Sequence, residues 1–380
     1  MFRRVVTAAL GLVILVHAIG HAQDSLLVIR AGHWVNVQQG TLEGESLLLI
    51  KGDRIVQVNP GGTVPAGARV IDLSKLTVMP GLIDAHVHLT IGTPDSTARA
   101  TLLAGFTTVQ DLGALNHANL ALRDAIESGK TIGPRIHSAG SWIGVKGGIC
   151  DFDGRGVKGE AEFAARTRED IANGADLIKV CVTGWPADGY RFPDSVEITD
   201  AELAAVVREA KAANKKVIAH AIGRRGAFMA VSAGVQALAH SAFLDSTTIA
   251  MMKSRGVYLI PTLGSFQGDR PALLALQKQM RAILASGIPI AMGTDAGVTP
   301  HGGNAAELGA MVAEGMSPVS AIQSATTNAA KLLGMSEQIG TITPGRMADL
   351  IAVEGNPLED VRTLQHVLFV MKAGRTYLTP

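Results

Sequence analysis

Short apolar runs alternate with helix-favouring stretches between residues 81 and 295, and this alternation limits the fold more than any other feature. The pattern is typical of a parallel sheet with crossover helices, such as those expected at Asp200–Ala213 and Pro271–Ala285. The strands fall at Gly81–Leu89, Thr107–Asp111, Arg135–Ser138, Asp176–Val182, Lys216–His220, Ala237–His240, Tyr258–Pro261 and Pro289–Asp295. These strand–helix units predict an α/β fold, the (β/α)8 TIM barrel. An open doubly wound sheet is the alternative, but no Gly-x-Gly-x-x-Gly loop follows the first strand.

The two ends of the chain have a different sequence pattern. Short alternating strands are separated there by Gly, Asn, Asp and Pro residues. We expect residues 23–78 and 339–380 to pack together as one small β-sandwich domain. Residues 79–338 are then left to form the barrel domain.

The first residues predict a targeting segment rather than part of the fold. A basic pair is followed by an apolar run too short to span a bilayer and by small residues ending at Ala22. We therefore expect residues 1–22 to be a signal peptide and the protein to be exported, periplasmic or secreted. A retained membrane anchor is the alternative.

Composition narrows the partners and the redox chemistry. Hydrophobic residues make up 47% of the 380 residues, which excludes a disordered chain. A net charge of +1 argues against nucleic acid or an anionic membrane as the main partner, and favours a small molecule. Export would allow a disulfide between the two cysteines, Cys150 and Cys181. Because Cys181 lies in an apolar strand, however, we expect it to be a buried free thiol.

Side chains that can bind metal ions recur where the barrel strands end. His86 and His88 are two residues apart on the first strand, so they face the same side. His220, His240 and Asp295 end the fifth, sixth and eighth strands. The C-terminal strand ends of a TIM barrel meet at one face, where its chemistry takes place. One histidine at such a position would more often be structural, but together these residues predict a metal site.

Lys179 interrupts the apolar run of the fourth strand. Burying its charge costs free energy unless that charge is compensated. One interpretation pairs the lysine with a buried carboxylate such as that of Asp111. The other converts it into a carbamate, an anion that is able to bridge two metal ions.

These motifs resemble those of the amidohydrolase superfamily, in particular its binuclear branch of Xaa-Pro dipeptidases and imidazolonepropionase-like amidohydrolases. The resemblance covers essentially all of the chain after the leader. It is carried by Pro80–His88, Gly174–Lys179, Ala219–Ala221, Gly293–Gly297 and Pro344–Asp349. It implies a barrel with a flanking sandwich, and a carboxylated lysine that bridges two divalent ions, usually Zn2+.

The resemblance assigns six ligands, with His86, His88 and Asp295 on a buried ion, His220 and His240 on a more exposed one, and carboxylated Lys179 on both. A hydroxide shared by the ions would attack the amide carbonyl. Asp295 would take up the proton and pass it to the leaving amine. Asp84 faces the same side as His86 and is expected to support it.

The residues expected around this core depart from the branch. Ile149 and Ile222 stand where relatives often carry histidine, which suggests a more apolar pocket and puts a simple dipeptide substrate in doubt. The candidate substrate-binding residues are Trp142, Tyr190, Arg191, Arg224 and His301. An arginine could clamp a substrate carboxylate through two hydrogen bonds, and Trp142 could form an apolar wall. A structural or solvent-facing role is the alternative for each of them.

The leading hypothesis is a metal-dependent hydrolase of small amides such as N-acyl amino acids or dipeptides. A mononuclear deaminase, cyclic amidase or lactonase on the same fold is an alternative, in which Lys179 stays unmodified. Deaminase relatives use a Glu shortly after the ligand on the fifth strand, and here Ala221-Ile222-Gly223 follows His220. A further alternative is an exported ligand-binding protein without catalysis. Assembly into a homo-oligomer is left open by the sequence.

Overall fold

The computed structural model describes residues 26–184, 195–266 and 271–380. The predicted signal peptide and two candidate substrate-binding residues, Tyr190 and Arg191, lie outside these ranges. No helix within the ranges is long and apolar enough to cross a bilayer.

The elements alternate between strands and helices through the middle of the chain. The strands are β1 (Leu27–Asn36), β2 (Thr41–Glu43), β3 (Ser46–Lys51), β4 (Arg54–Pro60), β5 (Arg69–Pro80), β6 (Leu82–Val87), β7 (Phe106–Asp111), β8 (Arg135–Ser138), β9 (Trp142–Ile143), β10 (Ile178–Cys181), β11 (Val217–His220), β12 (Ala237–Ala239), β13 (Tyr258–Ile260), β14 (Leu350–Val353), β15 (Phe369–Lys372) and β16 (Arg375–Leu378). The helices are α1 (Pro94–Leu103), α2 (Ala118–Glu127), α3 (Glu160–Ala172), α4 (Asp200–Ala212), α5 (Arg224–Ala233), α6 (Ser246–Arg255), α7 (Pro271–Leu284), α8 (Ala306–Ala313), α9 (Pro318–Ser324) and α10 (Thr327–Leu333). The two helices expected from the sequence, α4 and α7, each end within one residue of the predicted boundary.

Strands from both chain ends join in one eight-stranded sheet. Its order is β16-β15-β14-β5-β1-β3-β4, with β2 added beside β1. The sheet curls back on itself, because the backbone N–H of Ile55 donates to the carbonyl of Arg346 at 2.9 Å and that of Gly345 donates to the carbonyl of Ile55 at 2.8 Å. The curl encloses an apolar cluster that includes Ile29, Leu48 and Phe369. Strands from the two chain ends expected to form the sandwich are therefore hydrogen-bonded into a single connected sheet.

The barrel wall consists of two parallel sheets, β6-β7-β8 and β13-β12-β11-β10-β9. The predicted third strand is interrupted, because β8 pairs with β7 while β9 pairs with β10. The predicted eighth strand is an extended segment that forms only isolated bridges. It nevertheless bonds to both neighbours, since the N–H of Ala291 donates to Leu259 at 3.0 Å and the N–H of Asp295 donates to His86 at 2.7 Å. The ring is therefore closed, and the TIM barrel is confirmed.

Closure brings the eighth segment very close to the first barrel strand at Gly293. A Cβ at this position would lie 2.4 Å from the Ile260 side chain and 2.9 Å from the Cβ of His86. Real Cβ atoms do not approach other atoms this closely, so only glycine fits here.

We predict that Gly293→Ala destabilises the protein by about 1–3 kcal/mol, because the new methyl group forces the closing segment away from β6. The measurement is a urea unfolding curve of the full chain. Gly44→Ala is the matched control, since a Cβ there meets nothing within 4 Å. Its effect should stay below about 1 kcal/mol. Equal unfolding midpoints for the two variants would show that the close approach at Gly293 does not constrain the barrel.

Candidate metal centre

A cavity of about 250 Å³ opens at the C-terminal ends of the barrel strands. The six predicted ligands all line it, namely His86, His88, Lys179, His220, His240 and Asp295. Each of them is at least 94% buried. The barrel therefore gathers residues from five strand ends, far apart in sequence, around one space.

Three of these side chains point their ligand atoms at one another. The Nε2 atoms of His86 and His88 are 3.3 Å apart, and each lies 3.3 Å from Oδ1 of Asp295. A tetrahedral ion with bonds of about 2.0–2.1 Å holds its ligand atoms about 3.3–3.4 Å apart. The spacing of the three atoms thus fits one ion at their centre.

The tautomer of His88 supports the same conclusion. Its Nδ1 lies 3.0 Å from the carbonyl oxygen of Gly113, which can only accept, so Nδ1 carries the proton. In the neutral imidazole, the Nε2 atom then presents a lone pair toward the carboxylate of Asp295. Two such atoms at 3.3 Å repel unless a proton or a cation lies between them. The residues present therefore fit a bound metal ion.

The other predicted ligands continue this cluster. Nζ of Lys179 lies 3.4 Å from Nε2 of His86. The ring of His240 is centred 4.9 Å from that of His86 and 4.7 Å from that of His220. Ligand atoms of His86, His240 and Asp295 all lie within 4.8 Å of one another. The two predicted ligand sets are therefore adjacent halves of one site.

Burial sets the protonation states of the cluster. It lowers the pKa of His86 and of His240 well below the usual value, and that of His220 to about 3. It also lowers the pKa of Lys179 to about 7. Burial opposes ionisation of Asp295, but the adjacent His88 side chain and the nearby His240 and Lys179 outweigh it and lower that pKa to about 2. Metal ions bind to neutral imidazole nitrogens and to ionised carboxylates, so these protonation states favour metal binding.

Backbone strain is concentrated at the same place. His240, Thr262 and Asp295 adopt the left-handed conformation, with φ of 73°, 48° and 58°. For residues other than glycine this conformation costs about 1–3 kcal/mol and persists only where the surroundings enforce it. It turns the chain sharply at the ends of the sixth, seventh and eighth barrel strands, where His240 and Asp295 line the cavity and Thr262 lies behind His240.

Comparisons with known proteins agree with this geometry. Residues 77–377 match the amidohydrolase family. The chain belongs to this family. Ochratoxinase from Aspergillus niger is 28% identical to it over 366 residues, covering 80% of this chain and 76% of the relative. Adenine deaminase 3 from Rhizobium meliloti strain 1021 is 29% identical over 353 residues, covering 86% of this chain and 54% of the relative.

Solved structures extend the likeness to the fold. A Xaa-Pro dipeptidase with methionine bound in its active site superposes with a TM-score of 0.87 at 33% identity, covering 93% of this chain and all of that chain. The structure of A. niger ochratoxinase superposes with a TM-score of 0.82 at 25% identity, covering 94% of this chain and 96% of that chain. This amidohydrolase is therefore an enzyme that hydrolyses carbon–nitrogen bonds.

Asp84 supports the predicted ligands of this amidohydrolase, as the sequence suggested. Its Oδ1 accepts from the backbone N–H groups of His86 and Thr294, both at 3.1 Å. Its Oδ2 accepts from the Thr294 hydroxyl at 2.7 Å and from the Asn304 amide at 2.8 Å. The carboxylate thus ties the strand of His86 to the segment of Asp295. Burial raises its pKa to about 6, although these donors favour the ionised form.

Among the candidate substrate-binding residues within the described ranges, Trp142 alone lines the cavity. His301 does not line the cavity, and its ring nitrogens bond to the Thr101 hydroxyl at 3.1 Å and the His88 carbonyl at 3.3 Å, as the alternative structural role would have it. Arg224 is exposed at the first turn of α5 and does not line the cavity either. A position just after a barrel strand therefore did not ensure contact with the site.

Two expectations for buried side chains are also corrected. Cys181 is not a free thiol, because it forms a disulfide with Cys150 across a Cα–Cα distance of 6.2 Å. The loop after β9 returns over the end of β10 and makes this pairing feasible. Asp111 does not pair with Lys179. Its carboxylate accepts instead from the backbone of Leu89 at 2.9 Å and from the side chain of Asn119 at 2.8 Å.

The sequence reasoning missed the residues behind the ligands. The Thr262 hydroxyl lies 2.7 Å from Nδ1 of His240, and the Ser265 hydroxyl donates to Oδ2 of Asp295 at 3.3 Å. Both follow the seventh barrel strand, so their strand-end position was an available signal. Glu307, buried in α8, gave no such signal. Its carboxylate accepts from the backbone of Leu263 at 2.6 Å and of Gly264 at 2.9 Å, which anchors the turn that carries Ser265.

We predict that Glu307→Gln lowers the free energy of unfolding by about 1–3 kcal/mol, because an amide nitrogen replaces an acceptor and leaves one buried N–H without a partner. Thermal unfolding of the full chain measures the effect. Glu127→Gln, at an exposed position in α2, is the control and should change stability little. If Glu307→Gln unfolds at the same temperature as this control, the carboxylate does not hold the turn.

Proposed function

We propose that this enzyme uses two divalent metal ions, which we assign as Zn2+, to hydrolyse a small amide such as an N-acyl amino acid or a dipeptide. The observation that carries the proposal is the 3.3 Å spacing of His86, His88 and Asp295 ligand atoms in a buried cavity at the barrel mouth. These three residues would hold one ion. His220 and His240, packed beside them, would hold the second.

When bound, such ions supply Lewis acidity toward a carbonyl oxygen and lower the pKa of water. The residues of the chain do the rest. Asp295 stays ionised at neutral pH and has one oxygen, Oδ2, fixed by Ser265. Its carboxylate can take up a proton from the attacking water and return it to the departing amine nitrogen. Trp142 and the apolar residues above it exclude bulk water from the reacting groups.

Lys179 is proposed to carry a carbamate between the two ligand sets. The reaction joins the neutral amine to carbon dioxide, which forms a carbon–nitrogen bond and releases one proton. Burial lowers the pKa of Lys179 to about 7, so a substantial share of the side chain is the neutral amine that this reaction needs. The resulting anion would replace a costly buried cation with a group that balances the charge of bound metal ions.

A deaminase is the second candidate, favoured by the relative named adenine deaminase 3. Deamination needs a residue that carries protons beside the reacting carbon. Ala221, Ile222 and Gly223 follow His220 here, and the first two are buried apolar side chains. The segment therefore offers no carboxylate at the place where deaminase relatives use one. A binding protein without catalysis is a weaker candidate, because the predicted metal ligands combine backbone strain with a fixed geometry, as catalytic sites do.

We predict that His86→Ala and Lys179→Ala each lower kcat/KM for an amide substrate by more than about 100-fold, because each removes a side chain that holds the ions. Hydrolysis is followed by release of free amine from a panel of N-acyl amino acids, dipeptides and lactams. His366→Ala, at an exposed position, should retain the activity of the unaltered chain.

Added propionate separates the two roles of Lys179. If the lysine acts as a carbamate, the small carboxylate restores part of the activity of Lys179→Ala, because it supplies the missing anion. A lysine acting as a cation gives no such rescue. Full activity of either variant without additive would contradict the proposed function.

A further inference from the structure

Apolar surface is concentrated around the mouth of the cavity. Phe152 is 60% exposed and Val298 is 65% exposed, and no other large apolar side chain in the described ranges exceeds these values. Both line the cavity, as does Ile91, which is 43% exposed. Leaving such surface in water is unfavourable, and contiguous apolar patches of this kind mark sites of binding.

Aromatic rings connect this mouth to the metal centre. The ring of His88 is centred 5.5 Å from that of Trp142, which is centred 4.9 Å from that of Phe152. The Trp142–Phe152 pair is arranged edge to face, a geometry that aromatic rings favour. One wall of the cavity is therefore aromatic from a predicted ligand to the solvent.

Covalent and steric constraints hold this wall in place. Gly113 packs directly on the indole, since a Cβ there would lie 2.5 Å from Nε1 of Trp142. The Cys150–Cys181 disulfide fixes the loop that carries Phe152 to the end of β10. A wall that is rigid before binding costs little conformational entropy when a ligand packs against it.

The opposite side of the mouth is fixed by a second glycine. A Cβ on Gly297 would lie 2.9 Å from the Cβ of His88 and 3.4 Å from that of Ile91. The loop therefore lies flat against the strand of the ligands, and it carries Val298 beside Ile91. The two sides of the mouth, apolar on both, face a common space.

The size of the cavity limits what fits there. A cavity of about 150 Å³ suffices to bind benzene, and this one measures about 250 Å³. It has room for one ring together with the reacting amide.

We propose that the substrate is an amide with an apolar ring on one side of the scissile bond, and that Ile91, Trp142, Phe152 and Val298 bind this ring. The proposal rests on the proposed function, because the metal centre must hold the amide carbonyl at the other end of the cavity. Phe152 and Val298 are then specificity-determining residues.

A panel of four amides tests the proposal with the full chain. N-acetylglycinamide has no ring, N-benzoylglycinamide has a ring on the acyl side, acetanilide has one on the amine side, and N-benzoylglycine represents the N-acyl amino acids. We expect kcat/KM of at least one ring-bearing amide to exceed that of N-acetylglycinamide by tenfold or more. The opposite order overturns the proposal.

A variant assigns the preference to the wall. In the double variant Phe152→Ser, Val298→Ser, the ratio of kcat/KM between the preferred ring-bearing amide and N-acetylglycinamide should fall about tenfold. Phe228→Ser is the matched control, because Phe228 is 43% exposed on α5 and does not line the cavity. An unchanged ratio in the double variant overturns the assignment of the wall.

Binding keeps the proposal testable if none of the amides is hydrolysed. That result would count against the proposed function alone. Calorimetric titration then compares benzohydroxamate with acetohydroxamate, which share a metal-binding group and differ in the ring. Binding of benzohydroxamate at least tenfold tighter, lost in the double variant, supports the apolar wall. Equal affinities, or no binding of either compound, overturn it.

Discussion

The structure depends on one electrostatic constraint, which is the enforced proximity of nitrogen and oxygen atoms that can bind a cation in a buried space. His86, His88 and Asp295 hold three such atoms within 3.3 Å of each other. Nothing among the three can satisfy all of these contacts, since Nδ1 of His88 already carries its proton toward Gly113. A cation removes the repulsion, and several other features of the fold serve to keep the atoms in this arrangement.

Those features act through the backbone of the barrel. Asp84 ties the strand of His86 to the segment of Asp295, and Gly293 allows the same two elements to close. Glu307 anchors the turn after the seventh strand, which brings Ser265 to Asp295. Strained residues and buried carboxylates, which cost folding free energy, therefore cluster around the predicted ligand atoms. This concentration is typical of sites that are preorganised for catalysis.

The position of the predicted metal ligands around one cavity could be predicted from the sequence, because the fold fixes where the strand ends lie. Strand ends of a TIM barrel meet at one face, so His220 and His240 needed only a correct strand assignment. The interactions behind the ligands were not predictable in this way. Glu307 acts from a helix and reaches its partners through tertiary packing, and the loop carrying Cys150 reverses over β10 for reasons that no local pattern shows.

The candidate residues that do not line the cavity have a common physical explanation. His301 and Arg224 follow barrel strands, but nearness along the chain does not give the direction of a side chain. His301 bonds to Thr101 and to the His88 carbonyl. The apolar character of the pocket was expected from Ile149 and Ile222, of which Ile149 lines the cavity and Ile222 does not. An apolar residue at a lining position where relatives often carry histidine indicates an apolar pocket, even when the contacts of neighbouring residues are unknown.

Metal content per chain tests the electrostatic constraint most directly. Elemental analysis of the purified full chain should find about two divalent ions per molecule. Asp295→Asn should contain fewer than one, because it loses the carboxylate that lies beside the Nε2 atoms of His86 and His88. His366→Ala provides the matched control and should match the unaltered chain. Equal trace amounts of metal in all three proteins, even after incubation with excess Zn2+, would contradict the claim that the buried cluster exists to hold cations.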